Sequence, residues 1–354
     1  MNAVMRPDDS PYAVIDGDLR RDRARVIALW RGNLGSEARL DAKYDWFYLE
    51  CPWGEPLLQV VRHEATGEWV GVAAIGPRRM LWQGREIRAG VLVDMAVAAA
   101  HRSLGPALML QRRVIERAAA DFDLVYGFPN PKAVPVVKRV GYLKLADIVR
   151  CTRVLHHARY IGRLLPRLVA RPLGSVLDFA DRIRDGLRSW RVGRCFAEWS
   201  ATADPRMQDL WAQSKPGDGL VSIRDPSALR WRFDKAAFHR TRYLLVSAEA
   251  GGPLEAWFAC ESEDTILHVR DFWSADAPRG VPRAAIDALV CAARAEGHAA
   301  ISIQCTDAAG ALSAWRSAGF IERDRRPVFG KWRPGFDGAV SAESILLTPA
   351  DEDE

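Results

Sequence analysis

The strongest constraint on this chain of 354 residues is that its second half repeats its first. Leu29-Trp30 recurs as Leu210-Trp211, and Trp46 with its aromatic neighbour recurs as Trp231 and Phe233. Asp94 recurs 177 residues on as Asp271, and the same offset carries Arg102 to Arg279 and Ala107 to Ala284. Gly141-Tyr142 returns as Gly319-Phe320. The pairs keep one order, which chance recurrence of Trp and Arg does not explain. The length is comfortable for two domains, and an internal repeat makes them two copies of one topology.

The repeated unit is most legible from Val91 to Leu110. An apolar run holding one acid, Asp94, leads through Arg102-Ser-Leu-Gly105-Pro-Ala107 into an alanine- and leucine-rich segment. The pattern predicts a strand, a tight turn and a helix N-terminus. The first N–H groups of a helix point out of its end and carry partial positive charge, so they hold an anion. Gly105 lets the backbone approach a bulky ligand, and such a turn suits a pyrophosphate. Val125-Tyr-Gly-Phe-Pro-Asn130 reads as a second strand, and a short helix then runs to Gly141-Tyr142. Upstream, Tyr12 to Asp16 alternates like a strand, and Arg21–Trp30 and Leu40–Leu49 read as helices, the latter ended by Pro52. Leu57–Arg62 and Trp69–Ile75 read as strands joined through Ala65-Thr-Gly67, with a further turn at Gln83-Gly84.

R-x-x-G-x-A between a strand and a helix, followed by Pro129-Asn130 and the closing Gly141-Tyr142, resembles the acyl-CoA loop of the GNAT N-acetyltransferase superfamily. The element order over residues 12–150 is similar to that family too. The resemblance implies an α/β (α+β) fold of two tandem domains, each a central, mostly antiparallel mixed sheet flanked by helices. The first domain, with the acyl-CoA loop, takes residues 1–156. A helical connector takes 157–192, a degenerate repeat 193–333 and a C-terminal tail 334–354. In arrangement this resembles mycothiol synthase and the Fem-type transferases.

The chemistry implied by the resemblance is direct attack of an amine on a CoA thioester, with acetyl-CoA as co-substrate and no metal. The acceptor would be a primary amine of a small molecule or amino sugar. The protein must orient the reactants and take a proton from the ammonium. By resemblance, Met95, Ala96 and Val97 hold the pantetheine arm, while Arg102, Ser103, Leu104, Gly105 and Ala107 hold the phosphates. Asn130 bonds pantetheine or acceptor, or else caps the helix after Pro131. Asp94 is the general base, or else a core carboxylate bonded to backbone or arginine. The tyrosine that many relatives place four residues before the closing glycine is Val137 here, and Trp315 in the repeat. Tyr126 and Tyr142 are candidate substitutes as acid, and core packing accounts for both equally well.

The two copies are not equivalent. The offset that carries Arg102 to Arg279 carries Gly105 to Pro282, which has no N–H to offer a phosphate. Proline suits a helix start, so the fold survives while the anion site weakens. One CoA per chain is therefore expected, in the first half, even though Pro106 also lacks an N–H. Asp307, past the strand Ile301–Cys305, is expected to place negative charge at the thioester end of the second cleft. Two other readings stand beside acetyl transfer: a Fem-type aminoacyl transferase, which needs no CoA loop, and a non-catalytic CoA- or ligand-binding protein.

A formal charge of +5 favours anionic partners such as CoA phosphates but is too mild to point to nucleic acid. The six cysteines form no C-x-x-C pair, so neither a zinc site nor a disulfide framework is signalled. The N-terminal MNAVMRPDDSPY lacks an apolar signal region, and no uncharged apolar run reaches bilayer length. A cytoplasmic protein is the expectation. Residues 157–192 show two helical apolar faces with arginines between them, broken by Pro172 and Gly174. They read as a connector, and the sharper reading is a basic amphipathic helix on a membrane surface.

Overall fold

The computed structural model describes residues 10–34, 37–102, 104–158, 195–214, 216–236, 238–336 and 344–352, with 172, 175–181 and 183 of the connector. Most of the expected connector therefore lies outside the described residues.

The first half opens with β1 (Tyr12–Asp16), α1 (Arg23–Trp30) and α2 (Leu40–Tyr44), which runs on into a π turn, Asp45–Leu49. Three antiparallel strands follow: β2 (Leu57–His63), β3 (Trp69–Trp82) and β4 (Arg85–Val97). Gln83 and Gly84 both have positive φ, +50° and +69°, so they close a two-residue hairpin whose twist matches its strands. Then come α3 (Leu104–Ala118), β5 (Leu124–Gly127), α4 (Val134–Arg139) and β6 (Leu143–Val154). Trp30, Tyr44, Phe47 and Tyr48 pack on one face of the sheet. Leu110, Val114 and Val137 of α3 and α4 pack on the other.

The second half repeats this order. It contains β7 (Phe196–Ser200), α5 (Arg206–Gln213), β8 (Leu220–Ser222) and α6 (Pro226–Leu229), which again runs into a π turn, Arg230–Asp234. It continues with β9 (Thr241–Ser247), β10 (Leu254–Glu263), β11 (Ile266–Ser274), α7 (Arg283–Ala295) and β12 (Ala300–Thr306). Last come α8 (Ser313–Ser317), β13 (Ile321–Trp332) and β14 (Ile345–Leu346).

The halves do not keep separate sheets. Their strands run together into one 14-stranded sheet in which β13 lies between β5 and β6, and β6 lies between β13 and β12. β6 and its counterpart β13 thus each border the other half's β5-type strand, β12 and β5. In the antiparallel β6–β13 pair, Ile148 faces Arg326, its own counterpart 178 residues on, so a pseudo-twofold axis passes between them. Lys331 of β13 donates to the Val140 carbonyl at the end of α4, a cross-brace between halves.

Residues 344–352, expected as part of a tail outside the repeat, are instead built into the core. β14 pairs with β8, which in turn pairs with β3 of the first half. Ile345, Leu346, Leu347 and Thr348 are all buried, because apolar side chains and satisfied backbone groups fill the seam between halves.

Candidate functional site

Strands β4 and β5 pair in parallel only at Ala89–Leu124, Gly90–Val125 and Val91–Tyr126. Beyond Val91 they part, so one edge of β4 runs from Leu92 to Val97 without a strand partner. The cause lies partly in a bulge. Asp94 and Met95 fall between the β3 partners Ala74 and Val72, and Asp94 sits at φ +53°. Aspartate tolerates this left-handed conformation better than most residues, and bulges recur where a strand must re-aim a side chain.

Two cavities open along the parted strands. The outer one, about 620 Å³, is bounded by Met95, Ala96, Val97, Arg102, Ala107 and Lys132, among others. The inner one, about 170 Å³, reaches Leu92, Val93, Asp94, Gln111, Phe128 and Val137. Met95, Asn130 and Ala133 line both, so they form one continuous cleft. The N-terminus of α3 stands at its outer end with Arg102, whose Nε donates to the Val97 carbonyl at 3.2 Å and whose guanidinium reaches Asn33 Oδ1 at 2.5 Å. Gly105 lies in the first turn of α3, and so does Pro106, where no N–H is needed for the helix. Ser103 lies outside the described residues.

Asp94 lies at the inner end. Its side chain is 2 % exposed; Oδ1 receives Lys43 Nζ at 2.7 Å and Oδ2 receives the Tyr48 hydroxyl at 2.8 Å. Lys43 comes from α2 and Tyr48 from the π turn, so one helical arm supplies both partners. Sequence reading missed them, because residues five apart do not share a face on a regular α-helix and the π turn is what brings Tyr48 round to Lys43. Asp94 is the one carboxylate among the residues lining either cavity. Asn130 Oδ1 accepts the Lys132 and Ala133 amides in the turn before α4, whose N-cap is Ala133, and the residue lines the cleft.

Tyr126 does not join this group. Its hydroxyl donates to the Asp351 carbonyl at 2.9 Å, and burial pushes its phenol far up. It lines neither cavity, because alternation along β5 turns it to the face of α1 and α2, beneath the C-terminal segment. Tyr142 is likewise buried and its phenol pushed up by burial alone.

The second half has the same parting and a different content. β11 and β12 pair only from Ile266–Ala300 to Val269–Ile303. The gap beyond is bridged by the chain itself. The Thr306 amide donates to the Leu347 carbonyl at 3.0 Å, and the Leu347 amide returns a bond to Thr306 Oγ1 at 2.9 Å. The Thr348 hydroxyl donates to Asp271 Oδ1 at 2.8 Å. Burial pushes the Asp271 carboxyl up; Arg224, bonded to both its oxygens, and the Thr348 hydroxyl pull the other way. Arg232 holds the Ala350 and Pro349 carbonyls.

Two expectations for this half change. Pro282 is the residue before the first turn of α7, not within it, so the repeat slips by a residue or two at the helix start. Asp307 does not charge the cleft: its Oδ2 pairs with Arg316 at 2.8 Å and its Oδ1 accepts the Leu312 amide. Among the described residues no three His, Cys, Asp or Glu side chains gather as metal ligands, and no helix is long and apolar enough to cross a membrane.

No family model and no curated protein matches the sequence. Solved structures do match the fold. A conserved protein of unknown function from Enterococcus faecalis superposes with a TM-score of 0.64 at 10% identity, over 91% of this chain and 72% of that one. A GCN5-related N-acetyltransferase from Anabaena variabilis gives 0.63 at 11% identity, over the same 91% and 72%. The N-myristoyltransferase of Saccharomyces cerevisiae, solved with myristoyl-CoA, gives 0.55 at 13% identity, over 92% and 79%. The chain has the fold of the GCN5-related N-acetyltransferases, and the match spans both of its halves.

Proposed function

We propose that the chain moves an acyl group, acetyl in the simplest case, from CoA to a primary amine of a small molecule such as an amino sugar. The supporting observation is the continuous cleft that joins the N-terminus of α3 to Asp94 along the unpaired edge of β4. The residues present fit CoA. Leu104, Gly105 and Ala107 offer helix-terminal amides to its phosphates, and Arg102 and Lys132 flank them. Met95, Ala96 and Val97 offer backbone groups to the pantetheine amides, as an edge strand does. CoA supplies an activated thioester when bound.

The protein's own part is placement and proton handling. The β4 edge and Asn130 fix the thioester end beside Asp94. Asp94 draws the acceptor's ammonium into the cleft and takes its proton, while Lys43 and Tyr48 hold the carboxylate in place. The second half contributes β13 next to β5 and leaves a single CoA site. The reading places the protein in the cytoplasm.

A second reading, a CoA-binding protein without turnover, is favoured by two observations. Both Asp94 oxygens already hold donors, and Val137 offers no acid. One experiment separates the two. Calorimetry with acetyl-CoA reads binding, and thiol release over a panel of amines reads transfer. Binding with transfer supports the enzyme, binding alone the second reading, and no binding sinks both.

A further inference from the structure

We propose that the connector helix docks flat on an anionic phospholipid surface, with Val176, Phe179 and Ile183 turned into the lipid. The proposal is independent of the cleft and of acyl transfer.

The helix lies the wrong way round for a plain connector. Residues 175–181 and 183 are helical. Val176, Phe179 and Ile183 recur at i, i+3 and i+7, so they form one stripe, and Leu177 and Ala180 adjoin it. Asp178 and Asp181 fall on the opposite side. A surface helix ordinarily turns its apolar stripe to the core. Here the aspartates face the body instead. Asp178 Oδ1 accepts the His157 amide at 2.8 Å and lies 2.8 Å from His157 Nδ1, and its Oδ2 lies 3.4 Å from His156 Nδ1. His156 is itself tied to the sheet, its amide donating to the Ala299 carbonyl at 3.1 Å. Asp181 lines a cavity of about 490 Å³ with Arg316 and Phe320 of the second half. The stripe faces away: Val176 and Phe179 are 64 % exposed and Ile183 48 %. Seven large apolar side chains stand exposed among the described residues, and four of them, Leu177 included, fall between Val176 and Ile183. Apolar residues exposed singly need no explanation, but a contiguous patch marks a contact.

Charge names the occupant. Between 157 and 192 the chain has eight arginines, three aspartates and no lysine or glutamate. The segment thus carries the whole formal charge of +5, and the remainder of the chain is neutral. An apolar stripe within concentrated positive charge suits the boundary between acyl chains and anionic headgroups, where apolar burial and electrostatic attraction add. Leu187 and Trp190 continue the spacing of the stripe in sequence, outside the described residues, and tryptophan favours that boundary. The polar side with Asp178 and Asp181 keeps the helix in the interface plane.

The test is cosedimentation of the whole chain with vesicles of phosphatidylcholine alone and of equal parts phosphatidylcholine and phosphatidylglycerol. It compares the parent with the double variants Phe179→Ser, Ile183→Ser and Phe179→Leu, Ile183→Leu. The parent is expected to bind the mixed vesicles at least about ten-fold better than phosphatidylcholine, and less as salt rises. The serine variant should lose at least about ten-fold of that binding with an unchanged melting temperature, and the leucine variant should keep it. No preference for the mixed vesicles overturns the proposal, and so does binding that survives in the serine variant. A serine variant that melts clearly lower overturns it too, because the chain's own residues then cover the stripe. So does a parent dimer that the serine variant turns into a monomer, because a second copy then covers it.

Discussion

Trp46 and Trp231 are related by the pseudo-twofold axis and touch across it. Their rings stack with centroids 4.7 Å apart and planes 16° apart. Each indole nitrogen donates to the other's carbonyl, at 2.6 Å from Trp46 and 3.2 Å from Trp231. Each is the second residue of a π turn. The repeat seen in sequence is therefore an interface in space. Truncating either ring to alanine should cost about 3–5 kcal/mol. Each single change already removes the shared stack, so the double variant should cost clearly less than the sum. Urea unfolding of the four proteins checks this, and simple additivity would mean the two rings do not couple.

A second stability test uses pH. Burial raises the Glu261 carboxyl, but His239, Arg270 and Thr241 outweigh it and hold it down at about 2. The unfolded value is near 4.5, so the folded state favours the charged form. The contribution is present above pH 4.5 and is lost as pH falls toward 2, on the order of 2–3 kcal/mol at neutral pH. Glu261→Gln should be less stable than the parent at pH 7, and the gap should narrow steadily below pH 4.5. A gap that stays constant from pH 7 to pH 3 would show that charge plays no part.

Much of the fold was legible because its signals are local. Alternation marked β1, glycine turns marked the β2–β3–β4 meander, and the Arg102–Ala107 turn marked the start of α3. The order of Trp, Asp, Arg and Gly pairs marked the repeat. What stayed hidden is non-local. No residue pattern announces that β13 slips between β5 and β6, since both strands keep the same alternation wherever they pair. Lys43 and Tyr48 read as ordinary members of an aromatic helix until the bulge at Asp94 turns the carboxylate toward them. The segment 344–352 reads as part of a C-terminal tail, and only its bonds to Thr306 and Asp271 show what it fills.

The anion site is tested at Gly105. An aspartate there stands in the first turn of α3, where its charge suits the helix dipole, so the fold should survive. The same charge repels a pyrophosphate. Acetyl-CoA affinity should fall at least a hundred-fold by calorimetry, with an unchanged melting temperature. Parent-like binding would place the phosphates elsewhere.

Asp94→Asn tests the proton step. Asparagine also tolerates positive φ, so the bulge should persist. The amide cannot take a proton, and transfer should slow about a hundred-fold while the acetyl-CoA Kd changes little. Lys43→Met serves as comparison, since it removes the carboxylate's cation without touching the carboxylate. If both variants weaken CoA binding equally and leave the rate per bound complex intact, Asp94 is structural and the base lies elsewhere.

The last prediction concerns the second cleft. It should bind no CoA, and the reason goes beyond Pro282. The space between β11 and β12 is bridged by residues 345–351, which bond to Thr306 on one side and Asp271 on the other. Arg224 also pairs with Asp351 of that segment at 3.7 Å, both side chains buried, and removing one partner from a buried pair costs about 3–5 kcal/mol, so the segment is not displaced by a weak ligand. Pro282→Gly should therefore leave the stoichiometry at one CoA per chain. Gly105→Asp should leave no site of parent affinity, because no second site stands behind the first. Thr348→Val, which removes the hydroxyl bound to Asp271, should lower stability by about 1–3 kcal/mol without creating a site. Calorimetric stoichiometry on the three whole-chain variants decides the matter: one CoA bound by Gly105→Asp at the parent's affinity would reverse the roles assigned to the two halves.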